Sequence, residues 1–76
     1  MIGTEIRRER RRAGLAGHLV CRQTGVGRAR LSDIERGYVK PSESEVERIR
    51  SAIEKLARAK HRMEEVAVEV GWPFSG

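Results

Sequence analysis

Apolar residues recur along the chain at helical spacing, in segments that glycine or proline separates. In the first segment Ile2, Ile6 and Ala13 share one face of a helix. The residues that point away from that face are Arg7, Arg8, Arg11 and Arg12. Thr4 is a good N-cap, and glycine commonly ends helices, so the pattern predicts a helix from about Thr4 to Ala13, stopped by Gly14.

A second segment, "LAGHLVCRQTG", begins at Leu15 and ends at Gly25. Its spacing predicts that Leu19, Val20 and Cys21 face inward. Because isolated helices this short are marginal in water, this segment must share a core with its neighbours.

The third segment is predicted as a helix from Arg28 to Glu35 that Gly37 closes. Its apolar residues, Leu31 and Ile34, lie three apart and therefore point to the same side. The other side carries charged and small side chains.

The last segment has no glycine or proline from Ser42 to Val70, and acidic residues occupy its first turns, as the helix dipole favours. Its apolar rhythm alternates between three and four, like that of a short coiled coil. Positions 46–56 are predicted to close the domain, and positions 63–70 to meet a partner. We therefore divide the chain into a first domain at 1–56 and a helical extension and tail at 57–76, the latter expected to mediate dimerisation.

Charge separates the two halves of this 76-residue chain, whose formal net charge is +5 and whose pI is near 10.3. Residues 1–40 carry ten Lys and Arg against four Asp and Glu, whereas residues 41–76 carry six against seven. The basic field of the first half indicates a polyanionic partner. For the run Arg7 to Arg12, a solvated helix face and auxiliary phosphate contact both remain open.

Several classes of protein are disfavoured. Cys21 is the one cysteine, which excludes an internal disulfide, and no apolar run approaches the roughly 20 residues of a membrane span, so we expect a cytoplasmic protein that binds no membrane. His18, Cys21 and His61 are too few and too dispersed for a metal centre, and no nucleophile and base stand at catalytic spacing. We expect no metal, no cofactor and no enzymatic activity.

The order of helix, glycine turn, short helix, tight turn and short helix follows the helix-turn-helix plan, which presents the start of its second helix to the major groove of DNA. Arginine can bind guanine bidentately, Asp can accept from cytosine, and an Ala methyl can contact thymine. The residues expected to contact bases are Gly27, Arg28, Ala29, Arg30, Ser32 and Asp33.

The segments "AGLAGHLVCRQTGVGRARLS" and "LSDIERGYVKPS" resemble the phage repressor and Cro type of helix-turn-helix regulator, the Xre family, over about Ile2 to Leu56. The resemblance implies an all-α, lambda repressor-like bundle of four to five helices, here with an extended C-terminal helix. It also implies that Arg10 pairs with Glu35. It places phosphate contacts on Gly17, Arg36, Tyr38 and Lys40.

Three substitutions depart from the family pattern. Gly27 replaces the usual Ser or Thr cap, which costs only about a few tenths of a kcal/mol. Gly17 stands where a glutamine is common, so phosphate contact there would come from the backbone N–H at the helix start. Thr24 replaces a large apolar residue, and we expect its hydroxyl to bond to a carbonyl such as that of Val20.

These features predict a sequence-specific regulator of transcription, a repressor, that binds a pseudo-palindromic operator in double-stranded DNA as a homodimer. Residues expected at the dimer interface are Leu56, Lys60, Met63, Ala67, Val70, Trp72 and Phe74. One alternative is an antitoxin whose C-terminal helix and "GWPF" tail bind a protein partner while the domain binds its own promoter. Another is a phage excision or architectural factor that bends DNA.

Overall fold

The computed structural model describes residues 1–71, which form four α-helices and no β-strand. The helices are α1 (Ile2–Arg12), α2 (Gly17–Thr24), α3 (Arg28–Arg36) and α4 (Glu43–Val70). This confirms the all-α prediction. Trp72 and Phe74 lie outside the described residues.

The start of α1 differs from the prediction. The helix begins at Ile2 with Met1 as its N-cap, and Thr4 lies inside the first turn. The Thr4 hydroxyl donates to the Met1 carbonyl at 2.7 Å, so it does not accept a bond from a later N–H as a cap would. Thr4 therefore supports the first turn from within.

The start of α2 also differs, because the helix begins at Gly17 and not at Leu15. Ala16 is extended, with φ −73° and ψ 147°, and Leu15 belongs to the connection from α1. The Leu15 N–H donates to the Arg10 carbonyl at 3.1 Å, and the Leu15 side chain is buried in the core. Leu15 thus closes the end of α1 and is not part of α2.

The C-terminus of α2 agrees with the sequence expectation. The Thr24 hydroxyl donates to the Val20 carbonyl at 2.8 Å and accepts from the Val26 N–H at 3.1 Å. Gly25 takes the left-handed conformation, with φ 79°, and its N–H donates to the Cys21 carbonyl. These bonds fix the turn that connects α2 to α3.

One core joins the four helices, with α1 packed on α3 and α4, and α2 packed on α3 and α4. Gly3 is buried where α1 crosses α3, and a Cβ atom there would collide with the Ile34 carbonyl oxygen. The absence of a side chain at Gly3 therefore permits the close approach of the two helices. The buried apolar side chains are those of Ile6, Leu15, Val20, Cys21, Val26, Leu31, Ile34, Ile49, Ala52 and Ile53.

A largely buried ion pair holds α3 against α1. Arg10 donates from Nε and Nη2 to the two carboxylate oxygens of Glu35, at 2.9 and 2.8 Å, and from Nη1 to the Leu15 carbonyl at 2.8 Å. The two side chains are 14% and 8% exposed. The hydrogen bond to Glu35 raises the pKa of Arg10, whereas burial alone would lower it. The pair implied by the family resemblance is therefore present.

The start of α4 is a capping box. The Ser42 hydroxyl accepts from the Glu45 N–H at 3.1 Å, and the Glu45 carboxylate accepts from the Ser42 N–H at 3.0 Å. Ile49 and Ile53 then turn into the core, as the apolar rhythm predicted, and Ala52 is buried beside them. Because α4 is one helix to Val70, the division at residue 56 falls within a continuous element.

We predict that Glu35→Ala lowers the free energy of unfolding by about 3 kcal/mol, because it leaves the charge of Arg10 largely buried without its partner. Urea denaturation followed by circular dichroism measures this loss. The exposed-site variant Glu47→Ala should change stability by less than about 0.5 kcal/mol.

The paired replacement Arg10→Met with Glu35→Leu removes both charges together. It should recover most of the stability that Glu35→Ala loses, since no unpaired charge remains in the interior. Equal losses in Glu35→Ala and Glu47→Ala would contradict a structural role for the pair.

Candidate nucleic-acid interface

Helix α3 rests on an apolar back and leaves its front uncovered. Leu31 and Ile34 are buried in the core, whereas Arg28 and Ala29 in the first turn are exposed. Gly27 caps the helix in an extended conformation, with φ −66° and ψ 152°, and places no side chain before it. The start of α3 is therefore open to a large ligand.

The side chains of α3 divide among three directions, since successive residues are rotated by about 100°. Ala29, Asp33 and Arg36 point most directly away from the buried side. Arg28 and Ser32 lie on the flank beside α2. Arg30 lies on the opposite flank, beside the start of α4. The predicted base-contacting residues thus occupy one continuous outer surface of α3.

A shallow cationic cleft lies between α1, the start of α2, and α3. Glu35 offsets Arg10 there, but within residues 1–71 neither Arg28 nor Arg36 makes an ion pair. The cleft therefore carries an excess of positive charge beside the outer surface of α3, which suits a polyanion. Its polar and charged lining consists of Arg7, Arg10, Gly17, His18, Arg28, Ser32, Glu35 and Arg36.

The N-terminus of α2 opens into the same cleft. Ala16 provides no side-chain cap, and Gly17 is the first residue of the helix. The first N–H groups of a helix lack intrahelical acceptors and carry the positive end of the dipole, so an oxyanion beside Gly17 would be stabilised. The structure thus brings Gly17 and Arg36, two of the predicted phosphate contacts, into one cleft.

The other two predicted phosphate contacts lie in the loop from α3 to α4. The Tyr38 N–H donates to the Asp33 carbonyl at 2.9 Å, and the N–H of Gly37, with φ 81°, donates to the Ile34 carbonyl at 3.1 Å. This bond pattern is a Schellman motif, which fixes where the loop leaves α3. The Tyr38 side chain is 71% exposed and Lys40 is exposed. Neither residue lines the cleft that contains Gly17.

Arg7 and His18 line the cleft but were not among the predicted site residues. The signal for Arg7 was the arginine run of α1, whose role the sequence left open. The sequence did not indicate a role for His18 in nucleic-acid binding, because its place beside Arg28 depends on how α2 crosses α3.

Arg30 has a partner that the sequence did not indicate. Its Nε and Nη2 atoms donate to the Glu45 carboxylate at 3.1 and 2.8 Å, which joins α3 to the capping box of α4. This hydrogen bond, followed by that from the Ser42 backbone, lowers the pKa of Glu45 from its ordinary value of 4.5 to about 2. The two arginines at the start of α3 therefore differ, since Arg30 is held by a carboxylate and Arg28 makes no ion pair with any residue from 1 to 71.

A family model described as a helix-turn-helix domain matches residues 2–66 of the chain. The chain belongs to this helix-turn-helix family. In this family plan, α2 and α3 form the helix-turn-helix unit, and the second of these helices is the one presented to DNA. No curated protein and no solved structure matches the chain significantly.

The described helices offer neither a membrane span nor a metal cluster. None of the helices within residues 1–71 is long and apolar enough to cross a membrane. In the same range, no cluster of three or more His, Cys, Asp or Glu side chains could hold a metal ion.

The residues predicted for dimerisation fall into three groups. Leu56 packs partly against the core of its own chain, and the Lys60 ammonium donates to the Gly14 carbonyl at 3.2 Å. Met63 and Val70 are 73% and 54% exposed, and Ala67, beside them, is half-buried. Trp72 and Phe74 lie outside the described residues.

We predict that the Glu45 carboxyl titrates with a midpoint near pH 2, and that Arg30→Ala raises this midpoint toward 4.5. Because the folded pKa lies below the ordinary value, the ionised Glu45 favours folding above about pH 4.5, and this contribution is lost as pH falls toward about 2. Carboxyl carbon chemical shifts measured by NMR across this range follow the titration.

The matched control is Arg48→Ala. It removes an exposed arginine from α4, the helix that contains Glu45, and this arginine does not bond to Glu45. It should leave the midpoint near its wild-type position. If the midpoint were identical in wild type and Arg30→Ala, Arg30 would not be a cause of the lowered pKa of Glu45.

Proposed function

We propose that this helix-turn-helix protein is a sequence-specific regulator of transcription that reads the major groove of double-stranded DNA with α3. The observation that carries the proposal is the uncovered outer surface of α3, supported by a buried back and bordered by the arginine-rich cleft. An exposed helix of this kind fits the major groove, which is about 12 Å wide.

Base recognition is assigned to the outer surface of α3. Arg28, which has no ion-pair partner in the described part of the chain, can bind a guanine bidentately. Asp33 can accept from a cytosine amino group, and the Ala29 methyl can contact a thymine methyl. Ser32 provides an adaptable hydroxyl, and Gly27 allows close backbone approach. Arg30 would join this set by exchanging Glu45 for a base.

Phosphate binding is assigned to two places, the cleft beside α3 and the loop that follows this helix. Gly17 and Arg36 share the cationic cleft, which supports binding of one phosphate group by a helix N-terminus and a guanidinium. Tyr38 and Lys40 are exposed in the loop after α3 and would contact the backbone there. Such contacts position a protein on the duplex without reading sequence.

The assembly we propose is a homodimer on a pseudo-palindromic operator, with half-sites separated by a whole number of helical turns of about 34 to 36 Å each. The exposed apolar side chains at the end of α4 support self-association. The resemblance to phage repressors supports repression as the effect of binding.

We predict that Arg28→Ala costs about 1 to 3 kcal/mol of affinity at one base step and relaxes the preference there. Lys40→Ala should weaken binding to all duplexes alike, and it should reduce by about one the slope of log affinity against log salt concentration. Operators are first selected from random duplex. Fluorescence anisotropy at several salt concentrations then measures both effects.

The control is Arg58→Ala, which removes one positive charge from α4 far along the chain from α3. It should leave sequence preference and affinity near the wild-type values. Equal losses for Arg28→Ala on operator and on random duplex would contradict base reading by α3.

A further inference from the structure

The end of α4 extends beyond the core as an arm, which we define as residues 57–70. Lys60 makes the last hydrogen bond between α4 and the rest of the described chain, at the Gly14 carbonyl. Residues 61–70 extend about 15 Å beyond it, and the described chain measures 48 Å along its longest axis against 20 Å across. Beyond Lys60, the arm therefore has little of the described chain, residues 1–71, to pack against.

One face of the arm is apolar and is not covered by any part of residues 1–71. Met63, Val66 and Val70 are 73%, 50% and 54% exposed, and their spacings of three and four place them on the same side of the helix, with Ala67. A helical face with this spacing is normally buried against another element. The face is thus suited to a second helix.

Charge along the arm is segregated by position. Residues 58–62 include Arg58, Lys60 and Arg62 and no acidic residue, whereas residues 64–69 include three glutamates and no basic residue. Arg62 and Glu69 are seven residues apart and so flank the same edge of the apolar face, about 10 Å from each other. When two copies of the arm run in opposite directions, the basic part of each lies beside the acidic part of the other.

We infer that the arm pairs in antiparallel orientation with the arm of a second copy of this chain, an inference that rests on the homodimer of the proposed function. In this arrangement Arg62 lies opposite Glu69 of the partner subunit, and the two-fold axis falls between residues 65 and 66. In-register parallel arms would instead place basic residues beside basic and acidic beside acidic, which disfavours that pairing.

Antiparallel pairing leaves the candidate DNA interface uncovered. Arg30 of α3 contacts Glu45 at the first turn of α4, at the opposite end of that helix from the arm. About 20 residues of helix, or 30 Å, separate Glu45 from the axis of the pair. The two copies of α3 therefore remain accessible when the arms are paired.

Disulfide trapping tests the orientation. In a Cys21→Ala background, Val66→Cys places the two thiols within about 2 Å along the helix axis in the antiparallel pair, whereas Val70→Cys separates them by about 14 Å. A disulfide needs Cα atoms within about 7 Å. We expect oxidation to link the Val66→Cys dimer and to leave Val70→Cys unlinked. Linking of Val70→Cys as readily as Val66→Cys would establish parallel arms and overturn the inference.

Charge reversal tests the ion pairs by a different measurement. In sedimentation equilibrium, Arg62→Glu should raise the dimer dissociation constant by about tenfold, because each dimer gains two repulsive contacts. The exchange Arg62→Glu with Glu69→Arg should return it to near the wild-type value. Arg58→Glu is the matched control, since it makes the same charge change on the side of the arm away from the apolar face. Equal effects of Arg62→Glu and Arg58→Glu would count against the pairing.

Salt gives a third readout. The antiparallel dimer should weaken as sodium chloride rises above about 0.1 M, because salt then screens the attraction between charges more than about 10 Å apart and weakens closer pairs. A parallel dimer should tighten, because salt would screen the repulsion between its like charges. A chain that stays monomeric at all concentrations would overturn both the inference and the proposed homodimer. DNA reading by α3 is judged separately, by the Arg28→Ala measurement, so the two failures are distinguishable.

Discussion

The ion pair between Arg10 and Glu35 fixes the orientation of α3, because it ties the back of that helix to α1 through two hydrogen bonds between largely buried side chains. The third bond of Arg10, to the Leu15 carbonyl, also fixes the connection that leads into α2. One guanidinium on α1 thus holds both α3 and the connection that leads to α2. Short helices of this kind have little stability alone, so their mutual geometry depends on such contacts.

In that geometry one face of α3 packs in the interior and the other face is exposed. Leu31, Ile34 and Glu35 face the interior, and the residues between them are left to face outward. The same packing carries the start of α2 beside Arg28 and the start of α4 beside Arg30. The charges around α3 therefore come from all four helices, although α3 alone provides the surface proposed to read bases.

Much of the fold and of the candidate site follows from local sequence. Glycines marked the helix ends, and the alternation of apolar residues identified the inner sides of α3 and α4. The errors lie at the starts of α1 and α2, where Thr4 and Leu15 make contacts that spacing does not specify. A hydroxyl can cap a helix or bond back to a carbonyl, and the sequence pattern is the same in both cases.

By itself, the sequence determined that the chain is helical, which sides of its helices are apolar, and that its positive charge lies in the first half. These properties depend on residues within a turn or two of one another. Only the tertiary structure decided that Arg30 is held by Glu45 while Arg28 remains unpaired among residues 1–71, and that Arg7 and His18 share a cleft with Gly17. Those relations join residues far apart in the chain, and their distances depend on how the core packs.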